Sequence, residues 1–309
     1  MATINLNSQI LEINKPLFSD LPFFNTQFIK SNNIKSITGS ISSKKVRDII
    51  RSTGTDYHYQ FGEDGQLKNQ LSSYFSDGFK DTTTLFYTYN AKGQIAVKRK
   101  SDSYSYCSYH YNYDNANNII TQTYCRDENK FDSKNKFELK KEYVIVKDSF
   151  SYLKISDEQT KKFFYNSYGK KFKEQINYYD KLGYLIEEYT KFIIGNNKKK
   201  LTYEYNENGR LFKKHIFTNI AKDKKTTEIY TYDKIGNVLD IKYFKNSTHN
   251  STKQFLYDKK TMLLTAMIIQ DIETEFVRII KYRYTFFDGT TNFSELDKSL
   301  DSLSIPSSK

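Results

Sequence analysis

The feature that most constrains this chain is a short phrase it repeats. Residues 230–244 read YTYDKIGNVLDIKYF, residues 201–217 LTYEYNENGRLFKKHIF and residues 176–192 INYYDKLGYLIEEYTKF. The first two run aromatic, variable, aromatic and the third two adjacent tyrosines; each continues with Asn or Asp, two variable residues, Gly, and an apolar residue two places on. Eight copies align on the aromatic before the turn: Phe61, Tyr89, Tyr113, Tyr165, Tyr179, Tyr205, Tyr232 and Tyr257. The next residue is Asn or Asp in seven copies and Gly62 in the first. Four places after the anchor stands Gly65, Gly93, Gly169, Gly183, Gly209 or Gly236, with Asn117 and Thr261 in the other two copies. Leu67, Ile95, Leu185, Leu211, Val238 and Leu263 supply the apolar residue.

This is the signature of a β-hairpin. Asn or Asp opens a type I turn by bonding to its own backbone two residues on. Gly then occupies the position that needs positive φ, and Asn is the next most tolerant residue there. Thr261 breaks that rule, so the last copy is expected to turn differently. Incoming strands alternate: Leu201, Tyr203 and Tyr205 share one face, Thr202 and Glu204 the other. Most anchors lie 24 to 28 residues apart, room for two strands and their turns. The 52-residue gap from Tyr113 to Tyr165 fits a degenerate copy around KFELKKEYVIVKDSFSYLKI. The 14-residue gap from Tyr165 to Tyr179 puts those two turns at opposite ends of one strand, or else one is not a true copy. The expected fold is therefore all-β: an elongated, twisted antiparallel meander of roughly 15–18 strands built from repeated hairpins.

Composition agrees. Tyr and Phe, 27 and 23 of 309 residues, suit a pleated and half-buried surface. Pro16, Pro22 and Pro306 all lie outside the repeats, where proline would delete a ladder hydrogen bond. The net charge of +12, almost all from Lys, favours acidic partners. Arg is scarce, which argues against bidentate recognition of bases or phosphates, so nucleic acid is not the expected partner. No stretch reaches the length of a transmembrane helix. No basic segment followed by an apolar run marks a leader near the N-terminus; taken literally, this points to the cytoplasm.

YTYDKIGNVL, YEYNENGRL and NYYDKLGYLI resemble the YD (Rhs-type) repeats of bacterial cell-surface and exported proteins. The resemblance spans roughly residues 57–284, although only Gly209-Arg210 keeps the Gly-Arg-apolar signature of that family. It implies an exported protein of the periplasm or cell surface with a structural or binding role.

Three regions follow: a capping segment over residues 1–56, the hairpin repeats over 57–286, and a C-terminal cap and tail over 287–309. The first is expected to offer one or two strands that cover the first sheet edge. In the last, Phe293, Leu296, Leu300 and Leu303 recur at helical spacing, with Thr291 or Ser294 as N-cap. That stripe suits a short capping helix or, alternatively, a helix that docks on a partner.

Residues that might carry chemistry are sparse. Cys107 and Cys125 each lie nine residues from Ala116, the centre of the third turn. A symmetric hairpin would place them opposite each other, within reach of a disulfide; the alternative is two free thiols. His58, His110, His215 and His249 show no metal-ligand spacing. His110 sits in the aromatic run YCSYHYNY, where cross-strand packing competes with a ligand-binding platform. The segment RDENKFDSKNKFE, residues 126–138, lacks the central Gly and ligand spacing of a calcium loop and reads as a solvated insertion. Glu187 and Glu188 are adjacent on one strand and point to opposite faces. No catalytic, cofactor or metal residues are assigned, and the chain is expected not to be an enzyme. The expected function is a structural or protein-interaction subunit of the bacterial cell envelope, such as an accessory or plug-like part of a secretion complex. The alternative is a carbohydrate or surface-polymer binding module whose exposed Tyr109, Tyr111, Tyr113, Tyr203, Tyr205, Tyr230 and Tyr232 form the platform.

Overall fold

A computed structural model of the chain describes residues 9–102, 105–195, 197–220 and 224–292. An N-terminal segment leads into helix α1 (Thr26–Ser31), capped by Asn25, whose side chain accepts from the Gln27 and Phe28 amides. The strands follow in order: β1 (Ile34–Lys45), β2 (Arg51–Phe61), β3 (Leu67–Ser76), β4 (Phe79–Tyr89), β5 (Ile95–Ser101), β6 (Tyr106–Tyr113), β7 (Ile119–Asn129), β8 (Leu139–Ser156) and β9 (Gln159–Tyr165). Then come β10 (Lys171–Tyr179), β11 (Leu185–Phe192), β12 (Lys198–Tyr205), β13 (Leu211–Asn219), β14 (Lys224–Tyr232), β15 (Val238–Lys245), β16 (Thr248–Tyr257), β17 (Leu264–Asp271), β18 (Phe276–Phe286) and the two-residue β19 (Thr291–Asn292).

Each strand pairs antiparallel with the next, as the hairpin repeat requires. The sheet does not stay open or elongated. β1 pairs along its whole length with β18 on one side, from Ile34 opposite Phe286 to Lys45 opposite Phe276, and with β2 on the other. Eighteen strands therefore close into a barrel, which removes both free edges. The expected capping role of the first residues is met differently: β1 is itself a wall strand that seals the ring.

The motif turns form as the sequence implies. Asn90 Oδ1 accepts from the Lys92 and Gln94 amides at 3.0 Å each, and Asn206 and Asp180 do the same in their hairpins. All six motif glycines, and Asn117, have positive φ. The last copy does turn differently: it is one residue longer, and Met262, not Thr261, takes positive φ. The degenerate copy is the β8–β9 hairpin. The turn at Gly169 joins β9 to β10, whereas that at Gly183 joins β10 to β11, so these two lie at opposite ends of β10.

An 18-stranded ring encloses more space than wall side chains fill. The N-terminal segment occupies part of it. Phe18 stacks on Tyr57 at 4.5 Å, and Phe23 and Phe24 meet the edge of Tyr59. The Asp20 carbonyl accepts from Tyr87 on β4, and its carboxylate pairs with Lys98 on β5. The same segment, through Leu11, Ile13 and Leu17, lines cavities with Tyr230, Ile241 and Lys253 and with Phe255, Met267 and Tyr282. A segment of this length touches β2, β4 and β5 as well as β14 to β18 only from within the ring. It is a plug, and the buried core forms around it: Ile10, Phe23, Ile29, Ile37, Tyr59, Met267 and Ile280 are almost fully buried. The C-terminal stripe of Phe293, Leu296, Leu300 and Leu303 lies outside the described residues.

The wall faces water. Tyr203 and Tyr205 point inward, while Glu187–Lys200 (2.6 Å), Glu204–Lys213 (3.2 Å) and Lys161–Glu174 (3.1 Å) bridge neighbouring strands outside. A lipid-facing barrel needs an outward apolar band between aromatic girdles. Here ion pairs bridge the strands on the outer face instead.

Two glycines separate turn geometry from packing. A Cβ on Gly169 (φ 70°) meets nothing, so Gly169→Ala should cost only about 1–2 kcal/mol of left-handed strain. A Cβ on Gly65 (φ 80°) would overlap the Thr26 carbonyl oxygen and lie 2.9 Å from the Lys30 nitrogen of α1. Gly65→Ala should cost about 3 kcal/mol or more, because the helix must shift. Urea denaturation of both variants checks the order.

Candidate functional site

The enclosed face carries the tyrosines singled out in the sequence. Tyr109, Tyr111, Tyr113, Tyr203, Tyr205, Tyr230 and Tyr232 are buried or half-buried, and none is exposed. They do not form the exposed platform expected of them. The residues of one β-face turn inward together when the sheet closes. The hydroxyls of five of them, Tyr113, Tyr203, Tyr205, Tyr230 and Tyr232, are committed to structure instead. Tyr89 donates to the Leu67 carbonyl, Tyr113 to Ile95, Tyr205 to Leu185, Tyr232 to Leu211 and Tyr257 to Val238, at 2.5–3.0 Å. Each bond ties a strand to the residue that follows the turn of the preceding hairpin. Tyr284 makes the same bond to Leu264. Tyr203 donates to Glu188 and Tyr230 to Glu228.

Away from the plug the lumen is wetter and basic. Lys162 on β9 lies over the rings of Phe150, Tyr152 and Phe164, and Lys173 on β10 lies 3.7 Å from the Phe164 ring centre. Burial, reinforced by the Lys173 charge, pushes the Lys162 ammonium down to about 8. Between the plug and β11 to β14 lies a cavity of about 590 Å³, lined by Glu12, Asn14, Tyr184, Tyr205, Arg210 and Tyr232 among others.

β8 differs from every other strand. It runs for 18 residues and is exposed along most of both faces. Val144 is 62% exposed, Ile145 54%, Leu153 50% and Ile155 50%. A register shift between Tyr124–Val146 and Cys125–Val144 bulges Ile145 out of the ladder. Lys140, Lys141, Lys147 and Lys154 lie along the same strand.

The two cysteines are free, and the register explains why. The third hairpin shifts by one between Asn112 and Tyr113, so Cys107 faces Arg126 and Ser108 faces Cys125. A shift of one residue sends the two thiols to opposite faces. Cys107 points into the lumen, where Arg126 Nη1 donates to its sulfur at 3.0 Å. Cys125 is fully buried on the outer face, where burial, then the charges of Glu142 and Asp127, push its thiol up to about 11. There it meets His110 and Glu142: one ligand-type atom from each of the three residues lies within 4.8 Å of the others. No spacing in the sequence announces this trio, because the residues come from three strands. The other histidines are held by neighbours: His58 by Thr38, His215 by Thr227 and Glu204, His249 by Thr252.

The insertion after β7 folds back onto the outer wall. Phe137 packs edge-on against Tyr106 and beneath the Arg99 guanidinium, Asn135 accepts from Thr84, and Lys134 pairs with Asp81. Glu187 and Glu188 point to opposite sides, one to Lys200 outside and one to Tyr203 inside.

No protein-family model matches the chain, and no curated protein sequence matches it. Among solved structures, a porin-like protein from Bacteroides uniformis is similar at 12% identity, over 81% of this chain and 97% of that one, with a TM-score of 0.38. A porin-like protein from Bacteroides vulgatus is similar at 12% identity over 70% and 96%, with a TM-score of 0.29. A chain of a Tc holotoxin pore from Photorhabdus luminescens is similar at 16% identity, over 73% of this chain and 11% of that one, with a TM-score of 0.29.

Two predictions follow from these environments. Burial raises the phenols of Tyr59, Tyr282 and Tyr284 well above the ordinary 10, so each stabilises the fold fully below pH 10. That contribution is lost as pH rises towards the folded-state values. In an alkaline titration this buried set should ionise only together with loss of the far-UV circular dichroism. Buried phenolates that form at pH 10 in the folded chain would contradict this. For the cysteines, a thiol reagent should find two free thiols in denaturant, and Cys125 should stay unreactive in the native chain.

Proposed function

We propose that the protein is a non-enzymatic interaction subunit of a larger assembly of the bacterial cell envelope, docking through the β8–β9 hairpin onto an acidic protein partner. The observation that carries this is the exposure of Val144, Ile145, Leu153 and Ile155 along one strand. Apolar exposure of this kind, rimmed by charge, marks an interaction surface. Lys140 and Lys147 alternate onto the same outer face as Val144, and they accord with the net charge of +12. The plug and the hydroxyl-to-carbonyl bonds of Tyr89, Tyr113, Tyr205, Tyr232 and Tyr257 support a rigid scaffold role. The YD-type hairpin phrase supports placing the protein among exported bacterial repeat proteins.

The experiment is recovery of complexes from gently solubilised native cells, with the tagged wild type beside the double variant Val144→Asp, Leu153→Asp. Both positions face water, so the variant should keep its melting temperature. The wild type should recover a defined envelope complex whose retention weakens with salt; the variant should lose it. A native protein that stays monomeric and partner-free ends this reading.

A further inference from the structure

We propose that His110, Cys125 and Glu142 form a binding site on the outer wall for a divalent metal cation of the zinc class. The three come from adjacent strands β6, β7 and β8. Cys125 lies opposite Ser108 and so diagonal to His110; Glu142 lies opposite Asp127 and so diagonal to Cys125. All three side chains therefore project from the same face of a hydrogen-bonded ladder. His110 Nε2 is 2.9 Å from Glu142 Oε2, and one ligand atom of each residue lies within 4.8 Å of the others. Metal–ligand bonds of about 2.0–2.3 Å at tetrahedral angles separate ligand atoms by roughly 3.3–3.8 Å. The trio needs to draw in by about 1 Å at most, which rotamer adjustment on fixed strands supplies.

The donor set selects the metal class. Imidazole nitrogen, thiolate and carboxylate together suit zinc and its neighbours and not calcium or magnesium, which take oxygen. Three protein ligands leave a fourth position for water, and half-buried His110 with exposed Glu142 opens that position to solvent. The surroundings favour a cation. Asp127, two residues after Cys125 on the same face, is 1% exposed; one of its oxygens accepts from Arg99 Nε at 2.6 Å. Its other oxygen is buried without a hydrogen-bond partner. A metal bound beside it would meet part of that unspent negative charge. On binding, Cys125 gives up its proton to solvent and ligates as thiolate, while His110 ligates as neutral imidazole. The alternative is a metal-free cluster in which Glu142 pairs with His110 and hydrogen-bonds Cys125, and this is the point the test turns on.

The full chain, stripped with chelator, is titrated with Co²⁺ and then Zn²⁺. One equivalent of Co²⁺ should give a thiolate-to-cobalt charge-transfer absorption that Zn²⁺ displaces. Cys107→Ser should leave it unchanged, and Cys125→Ser should abolish it. Glu142→Gln, at an exposed position, should keep the fold and weaken Zn²⁺ binding about tenfold or more. Zn²⁺ should raise the melting temperature of the wild type more than that of Glu142→Gln, which keeps the test informative if Cys125→Ser fails to fold. A wild-type chain without the absorption, a band that survives in Cys125→Ser, or Zn²⁺ affinity indifferent to Glu142→Gln overturns the proposal.

Discussion

The structure depends on the pairing of β1 with β18. An antiparallel meander of hairpins is compatible with an open ribbon, a split sandwich or a ring. Eleven residues of β1 find partners on β18, from Ile34 to Lys45, and that ladder chooses the ring. Closure then creates a second requirement, because the lumen of an 18-stranded ring is too wide for facing side chains to meet. The N-terminal segment meets it by threading Ile10, Leu11, Phe23 and Phe24 into the interior before the chain enters the wall. The order of elements follows: the plug comes first in sequence, then the strand that seals the ring, then the hairpins in turn.

The hairpin phrase was legible because its physics is local. An Asx side chain bonding its own backbone and a residue with positive φ occur within five residues, and both are visible as residue types. Even Asn117 and the altered last turn could be read this way. Closure was not legible, since nothing in Ser36 or Gly39 announces that Thr285 and Tyr282 will lie opposite. Nor was the plug. PLFSDLPFF reads as an irregular apolar stretch with two prolines, and only a ring with a hollow interior gives it a place. The tyrosines were identified correctly as one face but assigned to the wrong side, because alternation says which residues share a face and not which face is enclosed.

The direction of that face governs what the barrel can do. A wall with ion pairs such as Glu187–Lys200 on its outer face differs from a lipid-facing barrel, whose outer band is apolar. The hydroxyls of Tyr113, Tyr205 and Tyr232, which would serve a sugar platform, instead bond backbone carbonyls from hairpin to hairpin, and those of Tyr203 and Tyr230 bond Glu188 and Glu228. On the outside β8 stands apart: it is twice the length of most other strands and exposes Val144, Ile145, Leu153 and Ile155.

One small irregularity, the bulge at each motif turn, shapes the chemistry of the outer wall. In the third hairpin the pairing of Tyr113 with Ile119 becomes, one residue on, that of Asn112 with Thr121. Without this step Cys107 would face Cys125, and the sequence count that suggested a disulfide would hold. With it, Cys125 turns outward, its direct neighbour becomes Ser108, and His110 moves to the diagonal. The second shift, where β8 bulges at Ile145, brings Glu142 to the other diagonal. Register arithmetic thus trades a covalent crosslink for a thiol, an imidazole and a carboxylate on one face. The positive-φ residue that makes the bulge, Asn117, lies eight residues from Cys125. It decides the face of that thiol as firmly as any contact the thiol makes itself.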